Sequence, residues 1–216
     1  MTALGGIERQ PRGFGVVLIA VAAAPALWLA WAIYSDFTMG TSYLGSDPIK
    51  EAEHSYGEMT LRMLVATLAI TPLRRVTGWN WLAKHRRTLG LLAFAYGVLH
   101  LSVWMFLDVQ LFISEYVGWD VVKTDLLKRP YITIGMAAVV LMVPLVVTST
   151  KRMIKRLGKG WVKLHRLTYL IVILGLVHFF MAVKLDWREP LVYALVVAAL
   201  LGWRMVDSRR RAVASA

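Results

Sequence analysis

Long apolar runs alternate along the chain with short stretches that hold nearly all of its charge. A helix crosses the hydrocarbon core of a bilayer with about 20 residues, each rising about 1.5 Å. Uncharged runs of that order occupy residues 14–34, 88–107 and 130–150. A fourth, at 167–183, extends back to Trp161 once Lys163 and Arg166 reach the head groups with their long stems. Two more runs carry ions only toward their ends: 56–76 holds Arg62, Arg74 and Arg75, and 190–206 holds Arg204. The pattern predicts an all-α integral membrane protein, a bundle of six transmembrane helices at 14–34, 56–76, 88–107, 130–150, 161–183 and 190–206. The first run exceeds the about 7–15 apolar residues of a signal peptide and reads as a retained span. Between spans the longest loops are 35–55 and 108–129. The second mixes Leu111, Phe112, Tyr116, Val117, Trp119, Val121 and Val122 with charges, which suits a short helix lying on the interface. No internal repeat or flexible linker stands out, so residues 1–216 read as a single domain.

Composition agrees with a bilayer as solvent: 58% of residues are hydrophobic and 18% charged, with a mean hydropathy of +0.58. The net charge of +12 would suggest a nucleic-acid surface in a soluble protein. Here it sorts by loop instead. The N-terminus, the 74–87 loop, the 151–166 segment and the C-terminus together hold 18 of the 25 Lys and Arg but only Glu8 and Asp207 among the acids, a net of +16. The opposite side nets −4. Short cytoplasmic loops carry the basic excess, so both termini are predicted on the inner side of a bacterial inner membrane, with lipid as the partner and nucleic acid excluded. With no cysteine, disulfides, iron–sulfur clusters, thiolate zinc sites and covalent haem attachment are ruled out.

Ionisable groups within spans are costly and mark function by default, which directs attention to histidine. His100, in the third span, and His178, in the fifth, fall in the outer halves of two helices running the same way, at depths within about one helical turn. Two imidazoles at one depth, with no cysteine and no carboxylate beside them, suit a haem held between helices three and five. The alternative is a pair of hydrogen-bonding residues joining helices. His165 lies about 20 Å inward of His178 and reads as a haem ligand, part of a flavin or quinone site, or an interfacial packing residue. The helical phase between His165 and His178 requires a local distortion, for which Gly175 is the candidate. His85 and His54 read as solvated loop residues. Haem propionates need cations, and Arg86 and Arg87 stand among those available, with Arg74, Arg75, Lys163 and Arg166. Trp104, four residues after His100, shares its face of the helix and is placed to pack on the haem. Arg62 is either a polar contact for a quinone or a snorkelling cation.

Several motifs together resemble a known family: Ser46-Asp47-Pro48, Thr71-Pro72-Leu73-Arg74, Arg86-Arg87-x-Leu89-Gly90 leading to Leu99-His100, Lys128-Arg129-Pro130-Tyr131, Thr148-Ser149, and Leu157-Gly158-x-x-Trp161-x-x-Leu164-His165-x-x-x-Tyr169 before His178. They are similar to the ferric-reductase-like transmembrane family, in its bacterial branch of haem-binding subunits for protein-methionine-sulfoxide reductase. The resemblance implies a six-span inner-membrane cytochrome with haem b, one or two per chain, and flavin mononucleotide (FMN) as a further cofactor. It implies electrons taken from the quinone pool, or from a cytosolic flavin donor, and passed to the periplasmic molybdopterin subunit MsrP, which repairs oxidised methionines. Its haem histidines correspond to His100, His165 and His178. Relatives with four histidines have one more than is clear here, since Arg86 occupies that level and His85 is one residue off register. No Gly-x-Gly-x-x-Gly follows a strand, so a nicotinamide domain is not expected. A catalytic residue for methionine sulfoxide is not expected either. Two rival readings remain: a self-contained transmembrane ferric or quinone reductase, and a haem-free anchor or assembly factor.

Overall fold

The computed structural model describes residues 10–109, 117–183 and 186–214. Within them the chain forms α1 (Phe14–Met39), α2 (Pro48–Thr77), α3 (His85–Val103), α4 (Val117–Lys128), α5 (Pro130–Val147), α6 (Lys151–Leu157), α7 (Lys159–Leu164), α8 (Leu167–Ala182) and α9 (Arg188–Ala214). A 3₁₀ turn, Asn80–Lys84, leads into α3, and a π turn, Trp104–Asp108, continues it. The protein is an all-helical membrane protein. Five stretches are long and apolar enough to cross a bilayer: Phe14–Met39, Asn80–Asp108, Pro130–Val147, Lys159–Ala182 and Arg188–Val213. The remaining long helix, α2, has 30 residues; its charges lie at residues 50–62 and at Arg74 and Arg75, with none between.

Local chemistry sets the boundaries. The Asp47 carboxylate accepts from the backbone N–H of Lys50 at 3.1 Å, and Pro48 takes the first helical position. This pair starts α2 well before residue 56, so Glu53 and His54 are helical rather than in a loop. At the other end Gly78, at φ 77°, adopts the left-handed conformation and returns its N–H to the carbonyl of Arg74. Pro130 opens α5 in the same way as Pro48 opens α2. The predicted fifth span is broken: α7 ends at Leu164 and α8 begins at Leu167, so the distortion lies at His165–Arg166, while α8 runs unbroken through Gly175. Of the predicted interfacial helix, Val117–Lys128 is present as α4, and Leu111, Phe112 and Tyr116 fall outside the described residues.

Two helix pairs make the frame, α2 against α3 and α5 against α8. Lipid is as apolar as leucine, so close approach and interhelical hydrogen bonds, rather than a hydrophobic drive, hold such pairs together. The buried positions fit that account. Ala32, Ala52 and Ala93 are fully buried, and Leu61, Leu64, Leu68, Met142, Ile171, Val172 and Val197 fill the space where α2, α5, α8 and α9 meet. Tyr96 donates to the carbonyl of Ala22 at 2.6 Å, and Tyr56 to that of Ala26 at 3.3 Å, tying α1 to the first pair. Outward-facing Val16, Trp28, Trp31, Val140, Leu191 and Leu195 are exposed, which leaves an apolar belt for acyl chains to cover.

Candidate functional site

Between the two helix pairs lies a cavity of about 720 Å³, within the range of sites that hold small cofactors. His100 and His178 both line it, their ring centroids 5.9 Å apart and their planes nearly perpendicular at 80°. Each ring is held by the same device. Nδ1 of His100 lies 2.8 Å from the carbonyl oxygen of Glu53, and Nδ1 of His178 lies 2.7 Å from that of Tyr131. A carbonyl only accepts, so both Nδ1 atoms carry the proton and Nε2 is the lone-pair nitrogen of each ring. Four residues beyond each carbonyl stands a glycine whose missing side chain makes room for the ring. A Cβ on Gly57 would meet His100 at 3.2 Å, and one on Gly135 would meet Nδ1 of His178 at 2.6 Å.

The two half-sites repeat along the sequence. Glu53, Gly57, Gly97 and His100 in α2 and α3 correspond to Tyr131, Gly135, Gly175 and His178 in α5 and α8, at one constant offset. Gly-x-x-His occurs in both second helices. So few side chains recur that the repeat does not stand out in the sequence, although the Gly-to-His spacing is equal in the two halves.

Other polar groups surround the cavity. Trp104, at the first position of the π turn, is 7% exposed, and its Nε1 is buried with no partner. Such turns interrupt helices chiefly at functional sites. At one mouth Lys50 bridges Glu53 at 2.9 Å and Asp108 at 2.7 Å, linking the start of α2 to the π turn. Burial pushes the Glu53 carboxyl above its usual range, and the Lys50 ammonium only partly offsets this. Burial also opposes the charge of Lys50, but its hydrogen bonds to Asp108 and Glu53 prevail and hold its pKa above the ordinary lysine value. Along the α9 side, Tyr193 donates to Glu58 at 2.7 Å and accepts from Nε of Arg62 at 3.0 Å, while Arg62 also pairs with Glu58. Arg62 is thereby explained as part of a link between α2 and α9. His54 also lines the cavity, with Nε2 3.5 Å from Glu189 and its ring on Phe179.

The remaining candidates lie elsewhere. His165 stacks on Trp161 at 3.9 Å, and its Nε2 is 3.2 Å from Oγ1 of Thr148. That hydroxyl donates to the carbonyl of Pro144 at 2.6 Å, so His165 must donate through Nε2. Arg86 reaches Thr71 at 2.7 Å, and Arg87 sits beside Ile19 and Leu91 on the surface; neither lines the cavity. His85, read as solvated, is 7% exposed and packed between Phe14 and Trp81. The structure thus brings together His100, His178 and Trp104 and separates them from His165, Arg86 and Arg87.

Two imidazoles are too few for a bare metal ion, which takes three or four protein ligands, and among the described residues no three His, Cys, Asp or Glu side chains gather to hold one. The pair suits a metal that brings its own equatorial ligands. Comparison with known proteins points the same way. Residues 56–176 match the ferric reductase like transmembrane component family. A protein-methionine-sulfoxide reductase heme-binding subunit MsrQ from Xanthomonas axonopodis pv. citri is 45% identical over 186 residues, covering 86% of this chain and 83% of the relative. Its counterpart from Brucella anthropi is 44% identical over 196 residues, covering 90% and 83%. The chain belongs to the MsrQ family. All four residues of each half-site, from Glu53 to His100 and from Tyr131 to His178, lie inside the matched region or within three residues of its ends.

Proposed function

We propose that this MsrQ-family chain is a b-type haem electron-transfer subunit, working as one membrane domain of six spans with both termini inside. The observation that carries the reading is the matched pair His100 and His178, two imidazoles with their Nε2 lone pairs free, on opposite walls of one cavity. The residues present fit the group. Gly57 and Gly135 leave space for the rings, and the orphaned Nε1 of Trp104 is a donor awaiting an acceptor within the cavity. His100 and His178 would hold haem b through their Nε2 atoms, and the haem would supply one-electron oxidation and reduction. The carbonyls of Glu53 and Tyr131 fix the ring orientations and raise the basicity of the ligating nitrogens. Leu61, Leu64, Met142 and Ile171 line the cavity with hydrocarbon and limit water.

The relatives' names support placing this electron carrier in a protein-methionine-sulfoxide reductase. Electrons would come from the quinone pool of the inner membrane, or from a flavin such as FMN, and leave to the periplasmic subunit MsrP. The charge asymmetry between loops supports the orientation this requires. The test is the absorption spectrum of purified, dithionite-reduced protein. A sharp b-type α-band, lost in both His100→Ala and His178→Ala, is the expected result; full haem content in both variants would overturn the assignment.

A further inference from the structure

At the far end of the bundle, a cluster of cations converges on a single hydroxyl. Arg204 of α9 donates through Nη2 to Oγ1 of Thr71 at 2.9 Å and to the carbonyl of Leu68 at 2.8 Å. Nη1 of the same guanidinium donates to Oη of Tyr169 at 2.7 Å. Arg86 of α3 donates to the same Thr71 oxygen at 2.7 Å. Two guanidiniums therefore approach one neutral oxygen, an arrangement that like-charge repulsion opposes unless a counter-charge is present. Among the described residues the acid of this end is Asp207, already paired with Arg75 and with Arg211. Among the described residues no carboxylate forms an ion pair with Arg86 or Arg204. Nε of Arg204 is buried with no partner, and Tyr169, accepting from Arg204, retains its own proton to donate.

The geometry points to a second binding site here, for a phosphate group, formed by Arg204, Arg86 and Tyr169. Guanidinium forks match phosphate oxygens bidentately, and two of them beside a phenol and a threonine hydroxyl suit a group bearing up to two negative charges. The site is separate from the histidine cavity. Leu68 stands 11 residues along α2 from Gly57 and Arg86 stands 14 before His100 in α3, which is about 16–21 Å of helix rise, and none of the three residues lines the cavity. The inference does not depend on the haem assignment. A phosphate of this kind has two sources in a membrane, an anionic phospholipid head group or a phosphate-bearing cofactor.

The experiment uses full-length purified protein, wild type and Arg86→Gln, with three probes: FMN, riboflavin, and nanodiscs containing phosphatidylglycerol or phosphatidylcholine. Arg204→Gln is compared as well, but Arg204 also joins α2, α8 and α9, whereas Arg86 holds only Thr71 and its replacement leaves the bundle's melting temperature as the control. If the source is a cofactor, FMN binds at least tenfold more tightly than riboflavin and Arg86→Gln removes the difference. If it is lipid, phosphatidylglycerol is retained in native mass spectrometry in preference to phosphatidylcholine, and Arg86→Gln loses it. Equal binding of every probe by wild type and Arg86→Gln would overturn the proposal, as would a loss of haem in Arg86→Gln with no change in either phosphate-bearing probe.

Discussion

A Cβ atom on Gly135 would stand 2.6 Å from Nδ1 of His178, closer than real Cβ contacts allow. Gly135→Ala must therefore displace the imidazole and break its hydrogen bond to Tyr131. At Gly57 the corresponding approach to His100 is 3.2 Å, which a shift of a few tenths of an ångström accommodates. Haem retained per purified chain should fall severalfold in Gly135→Ala and much less in Gly57→Ala. Equal losses in the two variants would count against the glycines as seats for the rings.

Trp104→Phe keeps an aromatic ring in the cavity wall and removes only the Nε1–H. A hydrogen bond to a bound group is worth about 0.5–1.5 kcal/mol. Haem should dissociate from Trp104→Phe about two- to tenfold faster in transfer to apomyoglobin, with the wild-type melting temperature of the apoprotein unchanged.

His165→Ala separates the two depths. Its ring donates to Thr148 and stacks on Trp161, so its removal should cost about 1 kcal/mol of stability and leave one haem per chain. Iron and haem analysis of the purified variant checks the stoichiometry; a drop from two haems to one would assign His165 a haem of its own.

Lys50 and Glu53 give a pH signature. Lys50 is raised above the ordinary lysine value by its carboxylate partners despite burial. Its contribution is complete below about pH 10.5 and fades as the pH climbs through its folded-state pKa. Glu53 is raised by burial, so its effect on stability also declines with rising pH, but in the window just above its ordinary value near 4.5. Lys50→Met leaves that buried carboxylate without its counter-ion and should lower the melting temperature at pH 8 more than Glu53→Gln does. Melts of both variants between pH 4 and 11 should show the alkaline decline lost in Lys50→Met, and the acidic one lost in Glu53→Gln.

The long apolar runs were legible because a bilayer imposes a length and a composition on each crossing, and His100 with His178 was legible because equal depth follows from counting residues. What pattern alone misses is anything set by backbone chemistry across helices. The carbonyls of Glu53 and Tyr131 carry no side-chain signal. The early start of α2 depends on a cap, Asp47 with Pro48, that moves His54 from a loop to the cavity wall. The break at His165–Arg166 follows no glycine or proline in the run, and the burial of His85 is decided by Phe14, far away in sequence, and by Trp81, four residues earlier. Arg86 and Arg204 were each legible as cations, but their meeting at Thr71, from positions more than a hundred residues apart, was not.

The repeated half-site also bears on how the protein comes to be made. Each histidine and the carbonyl that orients it lie within one stretch of chain, from Glu53 to His100 and then from Tyr131 to His178. During synthesis the first hairpin, complete with its ring, carbonyl and glycine, enters the bilayer before the second exists. A haem held as proposed would then be a clasp between two preassembled leaves, and its insertion would coincide with their closing.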